Sequence, residues 1–417
     1  MKILISAVGD TDPIRNFHDG PLLHIVRVYR PEKIVLVHSE RSLTKHDKLV
    51  KALKSIKDYS PEIIQDGGVL PDAQVAIFDE MYDTVSSIVK KYISDDEIIL
   101  NISSATPQII SAMFAVNRIS DFNVTAVQVV TPQHKSNEGL RHDNQEDIDT
   151  LIETNLDNQS DYENRTLEDT GMKFSLDLTK RNLKALIDNY DYQGALELLR
   201  ALKLPKKQES FSNIKELRKK LTEISDTIKI QGMPDKIVKS KLLSNQAKSA
   251  LNSYLNIDRN HKQGNIAEVL IRVKSLVEFI LEDYLNNHFL DVITYKEDGK
   301  PFLNALKYPE ILKKFQENAK KRDQEYHSGY LSLHGYIGIL KFFEPNHDLL
   351  KHIYDIQEIN QVRNQVAHSL QAFDRENLTK VSSAVFASKQ ILLDSFDIDN
   401  HWFSFYEDLN QEIKKLL

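Results

Sequence analysis

The 417-residue chain contains no cysteine. Disulfides, thiol nucleophiles and cysteine-based zinc sites are thereby excluded. No apolar run reaches the roughly 18 residues of a membrane span. The apolar start Met1-Lys2-Ile3-Leu4-Ile5 is too short for a signal peptide and lacks a small-residue cleavage site. No G-x-G-x-x-G occurs, so a nicotinamide or flavin cofactor is not expected, and no G-x-x-x-x-G-K-[ST] marks a Walker loop. The 14 histidines include no H-E-x-x-H and no zinc-spaced set. Internal repeats and low-complexity tracts are also missing. These absences predict a cytoplasmic protein with no membrane partner, no metal site and no required cofactor.

What is present is ordinary globular composition, 41% hydrophobic and 28% charged, in a length that suits two or three domains. The net charge of −7 argues against a broad nucleic-acid coat but leaves room for a local RNA groove. Charge is unevenly placed. From Glu138 to Asp169 there are eleven acidic residues against two basic ones, Arg141 and Arg165. From Lys173 to Lys248 there are seventeen basic residues against nine acidic ones. A solvated linker followed by solvated helix faces explains both blocks, and Lys206-Lys207 or Lys219-Lys220 could instead line an RNA path.

The first 130 residues alternate apolar strand-like runs with helical patterns. Strands are expected at Lys2–Val8, Lys33–His38, Glu62–Gln65, Glu97–Ile102 and Val124–Val130. Helices are expected at Pro21–Tyr29, Leu43–Ile56, Met81–Ile93 and Pro107–Ile119. Strands that are apolar without strict alternation are covered on both faces, so the pattern predicts an α/β, doubly wound parallel sheet. Ligands of such sheets sit at the carboxyl ends of the strands. After the acidic excursion 138–169 the chain reads almost entirely as helix, with examples at Leu183–Leu202, Ile214–Ile230, Lys236–Leu255, Ile266–Leu285 and Ile353–Leu370. Breaks are expected at Pro205 and Gly232-Met233-Pro234. A domain change is expected at 255–265, which gives three parts: a sensor-like domain 1–172, a helical connector 173–260 and a C-terminal helical domain 261–417.

Three loops after strands carry the candidate ligand chemistry. They are Gly9-Asp10-Thr11-Asp12-Pro13, His38-Ser39-Glu40, and Asn101-Ile102-Ser103-Ser104-Ala105-Thr106-Pro107-Gln108. In the third, Thr106 is a good N-cap and Pro107 suits the first helical position. A strand, a small hydroxylated turn and a helix N-terminus together make an anion site, to which Ser103, Ser104 and Thr106 add hydroxyls. An ordinary capped turn explains the same residues. Asp10 and Asp12 would repel a triphosphate, so the loops suit a ribose-bearing ligand better than a bare phosphate.

In the C-terminal half, Arg363-Asn364-Gln365-Val366-Ala367-His368 stands out. Ile356, Ile359, Val362, Val366 and Leu370 form one apolar helix stripe with Arg363 in its middle, where a guanidinium requires a polar partner or another subunit. His368 lies about 140° round the helix from Arg363 and about 7.5 Å further along. Two copies brought together at a two-fold interface could converge on one substrate. The chemistry suits RNA cleavage, in which the 2′-hydroxyl attacks its neighbouring phosphate without metal. Histidine transfers the proton, arginine stabilises the phosphorane and Asn364 orients either group. A buried Arg–carboxylate pair with a surface histidine fits the same spacing.

Taken together, these residues resemble the CARF–HEPN ribonucleases that accompany type III CRISPR systems. Gly9–Pro13 looks like the first motif of the CARF sensor, a Rossmann-like domain, and Ser103–Gln108 like its later motif. Arg363–His368 matches the R-N-x-x-x-H signature of the helical HEPN nuclease. The resemblance implies a homodimer in which two CARF domains bind a cyclic oligoadenylate made by the type III effector complex. The ligand residues would be Gly9, Asp10, Thr11, Asp12, His38, Ser39, Asn101, Ser103, Ser104, Ala105, Thr106 and Gln108. It further implies that two HEPN helices cut single-stranded RNA to a 2′,3′-cyclic phosphate through Arg363, Asn364 and His368. Slow cleavage of the activator would fall to Thr106, Asp10 or Asp12, and a six-membered ring is favoured over a four-membered one.

Two rivals stay open: a non-catalytic CARF-type sensor that regulates or assembles through its helical half, and a HEPN toxin that cuts constitutively. Asp95-Asp96-Glu97 reads as a loop, His134 and His142 as solvated, and Tyr326–Tyr330 as a turn that could stack bases.

Overall fold

The computed structural model describes residues 1–93, 97–119, 124–132, 146–201, 213–321, 329–359, 362 and 375–417. The chain divides into two compact units, Met1–Asp177 and Leu178–Leu417.

The first unit is built on a six-stranded sheet. Its strands are β1 Lys2–Ala7, β2 Lys33–Ser39, β3 Glu62–Leu70, β4 Glu97–Asn101, β5 Val124–Val129 and β6 Thr166–Glu168, in the order β3-β2-β1-β4-β5-β6. The first five pair in parallel, and β6 joins antiparallel at the β5 edge, with Val127 opposite Glu168. The strands connect through helices α1 Pro21–Tyr29, α2 His46–Lys54, α3 Phe78–Tyr92 and α4 Pro107–Ile119. Period-two geometry sends Ile3, Ile5, Ala7, Ile98 and Leu100 into one core with α3 and α4 residues such as Val85 and Met113. It sends Leu4, Ile34, Leu36 and Ile99 into the other core with α1 and α2 residues such as Leu22 and Leu49. Burial of each aliphatic side chain stabilises by roughly 1.5–3 kcal/mol relative to exposure, which is why the strands read as continuous apolar runs.

Several expectations need correction here. β3 extends to Leu70, beyond the short strand expected at Glu62–Gln65. The helix expected at Leu43–Ile56 is a separate turn, Glu40–Leu43, followed by α2, because Ser39 and Ser42 form a capping box that starts and limits the turn. The described end of the acidic excursion is no free linker. Helix α5, Ile148–Glu153, is N-capped by the Asp147 carboxylate, which accepts from Asp149 and Thr150 N–H at 3.1 and 3.2 Å. Strand β6 follows, and Asp169 pairs with Arg118 at 3.1 Å.

Helix α6, Met172–Asp188, runs through the point where the units divide. In the second unit, the helix expected at Leu183–Leu202 is broken at Asn189–Asp191. Tyr190 there takes a φ of 58°, and α7 restarts at Tyr192–Ala201 with Gly194 N–H donating to Asp191 at 2.8 Å. Helix α8 covers Ile214–Lys229. The helix expected at Lys236–Leu255 is a turn, Asp235–Val238, and then α9, Asn245–Lys262, capped by the Ser244 hydroxyl. Helix α10, Ile266–His288, buries Val269, Val273, Leu276, Val277, Ile280 and Leu281 at helical spacing. A hairpin, β7 Ile293–Tyr295 and β8 Pro301–Leu303, interrupts a region expected to be all helix, and Gly299 in its turn has a φ of 77°. Helices α11 Pro309–Lys320, α12 Leu333–Phe343, residues 353–359, α13 Arg375–Ser395 and α14 Phe405–Lys414 complete the unit. No helix among the described residues is long and apolar enough to cross a membrane.

Candidate functional site

The sheet order reverses direction between β1 and β4, and the loops after these two strands are Gly9–Pro13 and Asn101–Gln108. A doubly wound sheet opens its ligand crevice at such a switch point. The loops touch closely: a Cβ on Gly9 would lie 2.9 Å from the Ala105 backbone nitrogen, so only glycine fits. Ala105 itself holds a φ of 119°, a sparsely populated conformation for a residue with a side chain.

Beside this contact lies a cleft of about 230 Å³, lined by Thr11, Ser103, Val129, Val130, Pro21 and three groups that bear or accept positive charge, Arg15, His18 and Arg165. Of the expected ligand residues, Thr11 and Ser103 face it. Ser103 is set in place by the Asn101 side chain, which accepts its N–H at 2.9 Å, while the Ser103 hydroxyl accepts from Val129 N–H at 2.8 Å. Thr106 caps α4, accepting from Ile109 N–H at 3.4 Å, and its own hydroxyl donates to the Val75 carbonyl at 3.0 Å. Gln108 is half-buried in the first turn of α4.

Four side chains expected at the ligand turn inward instead. Asp12 is 2% exposed and its carboxylate accepts from Gly9 N–H at 2.9 Å and Leu22 N–H at 3.0 Å, tying the first loop to the start of α1. Burial pushes its carboxyl above the ordinary range, against those hydrogen bonds and the nearby Lys45. Ser104 is buried close enough to help hold that charge, though its hydroxyl makes no well-formed hydrogen bond. Asn101 is fully buried and donates to Ser6 Oγ at 2.9 Å. His38 is fully buried 3.0 Å from His46, and burial together with that second imidazole lowers it to about 4, so it stays neutral. Ser39 is occupied as the cap of the Glu40–Leu43 turn. These residues build the loops rather than present themselves to a ligand. Asp10 remains exposed, 3.2 Å from Arg41, and the Lys45 ammonium clasps the carbonyls of Gly9 and Asp10 at 3.2 and 2.9 Å.

The cleft's cations escaped the motif search. Arg15 follows the first loop by two residues, and its Nε is buried without a hydrogen-bond partner. Arg165 had a visible signal, as one of two basic residues among eleven acids. Its guanidinium donates to Asp157 at 2.8 Å, to the Asp19 carbonyl at 3.1 Å and to the Val130 carbonyl at 3.0 Å, and its N–H donates to His24 Nε2 at 3.0 Å. Asp19 in turn holds Arg27 at 2.6 Å and accepts from Asn155 at 2.7 Å. Ligand atoms of Asp19, His24 and Asp157 lie within 4.8 Å of one another, close enough for a metal, but Arg27 and Arg165 already balance the two carboxylates.

In the helical unit, Ile356, Ile359 and Val362 are 0, 1 and 4% exposed, which places the first three residues of the expected apolar stripe in the core, while Val366 and Leu370 lie outside the described residues. Arg363, Asn364 and His368 lie outside the described residues, as do His134, His142, Asp95 and Tyr326–Ser328.

A cleft at the switch point of a Rossmann-like sheet, followed by a helical unit, is the arrangement of a CARF–HEPN protein. The family model for the Cas_Csm6 CARF domain matches residues 62–166, and that for the Cas_Csm6 HEPN domain matches residues 236–414. Two CRISPR system endoribonucleases of Streptococcus thermophilus, Csm6 and Csm6′, are 40 and 39% identical to this chain, over 100% of it and of the first and 99% of it and 98% of the second. The structure of Enterococcus italicus Csm6 bound to cyclic hexa-2′-fluoro-hexa-dAMP is similar with a TM-score of 0.71, at 30% identity over 100% of both chains. The chain belongs to the Csm6 family of CRISPR system endoribonucleases.

Proposed function

We propose that this endoribonuclease is switched on by a cyclic oligoadenylate, made by a type III effector complex and bound where two CARF clefts meet in a homodimer. The observation that carries the reading is the cleft at the β1–β4 switch point. Thr11 and Ser103 offer polar groups to sugars or bases there, and Arg15, His18 and Arg165 offer cationic or hydrogen-bonding partners for phosphates. The ligand-facing set is thus Thr11, Ser103, Arg15 and His18, with Asp10 at the rim and Arg165, already paired with Asp157, forming the wall. Asp12, His38, Asn101 and Ser104 shape the loops. A hexameric ring is favoured over a tetramer, in keeping with the six-nucleotide ligand of the Enterococcus italicus relative.

Cleavage is assigned to Arg363, Asn364 and His368 from two protomers, acting on single-stranded RNA without metal. His368 moves the proton of the attacking 2′-hydroxyl or of the leaving oxygen, Arg363 stabilises the dianionic phosphorane, and Asn364 orients them. The product is a 2′,3′-cyclic phosphate. Slow activator cleavage is assigned to Thr106 or Asp10, since the third expected candidate, Asp12, keeps its carboxylate buried on the N–H groups of Gly9 and Leu22. We keep the division 1–172, 173–260 and 261–417, with the middle part as the coupling element, and a cytoplasmic location. The ring controls the distant site only by its differential affinity for two dimer arrangements.

The test is cleavage of a fluorescent single-stranded RNA in EDTA, with cyclic hexa-adenylate, cyclic tetra-adenylate or neither. Hexamer-dependent cleavage supports the proposal. Cleavage that needs a divalent ion, or that is equal without any ring, refutes it.

A further inference from the structure

A second pocket lies wholly within the helical unit, away from the R-N-x-x-x-H segment in sequence. It encloses about 180 Å³ and is lined by Tyr190, Asp191, Tyr192, Gln193, Ser225, Ile228, Lys229, Arg259 and Gln263, from α7, α8, α9 and the turn before α7. At its base sits Arg259, 9% exposed. Its one hydrogen bond among the described residues runs from Nη2 to Asn256 at 3.3 Å, and its Nε is buried with no partner.

The neighbouring acids make their pairs elsewhere, with one oxygen of Glu407 left buried and without a hydrogen bond. Asp258 and Glu407 hold Lys262, Tyr190 donates to Glu407, Glu268 pairs with Arg272, and Asp191 accepts the N–H that opens α7. The guanidinium lies 5.9 Å from the Tyr406 ring, an attraction worth less than a carboxylate pair. Burial lowers its affinity for the proton, with nothing nearby strong enough to offset it. An arginine is almost never buried without a counter-charge, and its fork of N–H donors fits two oxygens of one phosphate. Ser225, which donates to Gln193 at 2.8 Å, and the amides of Gln193 and Gln263, which donate to Glu197 and to the Asn189 and Tyr190 carbonyls, make the wall polar, so the free donors there are those of Arg259. Lys229 stands at the mouth, 4.0 Å from Asp226.

We infer that this pocket binds a phosphate group on the Arg259 guanidinium, either free phosphate or the phosphorylated end of an RNA. Its lining residues belong neither to the activator cleft's lining nor to the R-N-x-x-x-H segment.

The test titrates inorganic phosphate into the full chain at constant ionic strength, without activator, followed by calorimetry. A parallel titration uses an uncleavable 2′-O-methyl oligoribonucleotide with and without a 5′-phosphate. Saturable phosphate binding is expected in the native protein, lost in Arg259→Met and at least tenfold weaker in Gln193→Glu, an isosteric change that adds negative charge at the wall. Preference for the 5′-phosphorylated oligomer, lost in both variants, identifies an RNA end as the source; equal binding of the two oligomers identifies free phosphate. In phosphate-free buffer Arg259→Met is expected to melt higher than the native protein, because it removes an uncompensated buried charge. Absence of saturable phosphate binding in the native protein, or binding that neither variant changes, overturns the inference. Should Arg259→Met fail to fold, the native titration and Gln193→Glu decide it.

Discussion

Arg165 and Asp157 form an ion pair at 2.8 Å in which both side chains are at most 5% exposed. Both belong to the segment returning from α5, which is fixed against the loop before α1 because Arg165 also donates to the Asp19 carbonyl at 3.1 Å and Asp157 also accepts from Asp19 N–H at 2.8 Å, and this builds one wall of the cleft. Removing one partner strands the other charge in the interior. Arg165→Ala and Asp157→Ala are each expected to destabilise the N-terminal unit by about 3–5 kcal/mol. Urea denaturation of each single variant and of the double variant checks this. The double variant should be less destabilised than the sum of the two.

Arg15, by contrast, lines the cleft with its Nε buried and without a hydrogen-bond partner. Arg15→Ala is expected to weaken cyclic hexa-adenylate binding by tenfold or more, as about 1.5–3 kcal/mol of a charged hydrogen bond is lost, with little change in the melting temperature. Calorimetric titration of the ring measures the first and a thermal melt the second. An unchanged affinity would remove Arg15 from the ligand site.

His38 supplies a pH dependence of known sign. Its ordinary value of 6.5 falls to about 4 in the folded protein through burial and His46. The unfolded chain therefore takes up a proton as the pH falls through 6.5, while the folded chain does not until about 4. The stability His38 contributes is complete above that window and is lost progressively within it. Thermal melts across this range should show a steeper acid decline for the native protein than for His38→Gln. Parallel curves would refute the assignment.

Gly9→Ala is expected to force the switch-point loops apart, because the new methyl would meet the Ala105 nitrogen at 2.9 Å. Overpacking of this kind costs about 1–3 kcal/mol. Activator affinity should fall together with stability, which separates this variant from Arg15→Ala.

His368→Ala is expected to reduce RNA cleavage by at least about a hundredfold, the usual contribution of a general acid or base. Activator binding should be unaffected, and titration of the ring against the inactive variant checks it.

The parallel sheet was legible because both faces of β1, β2 and β4 are buried, which leaves apolar runs such as Ile34–Val37 with helical spacing between them. The motif loops were legible because strand ends in such a sheet must converge. Side-chain direction was not. Asp12, His38 and Asn101 look like ligand residues by type, yet each turns inward, Asp12 to the loop's own N–H groups and His38 and Asn101, at the ends of their strands, to His46 and Ser6. Arg165 reaches the cleft through a contact across 146 residues of sequence, which no local pattern encodes, and Arg15 lies two residues beyond the loop that carries the motif. The long helices were over-extended at Asn189–Asp191 because the break there is carried by Tyr190 in a left-handed conformation and not by glycine or proline.

The antiparallel edge strand β6 comes last in the sheet, and the Arg165 immediately before it bonds to the carbonyl of Asp19 and to that of Val130. During synthesis the parallel strands are complete once Val129 has been made, whereas the wall of the cleft waits a further 36 residues for Arg165 and its bonds to the Asp19 and Val130 carbonyls, so a nascent chain passes through an interval in which the sheet is whole and the proposed ligand site is not.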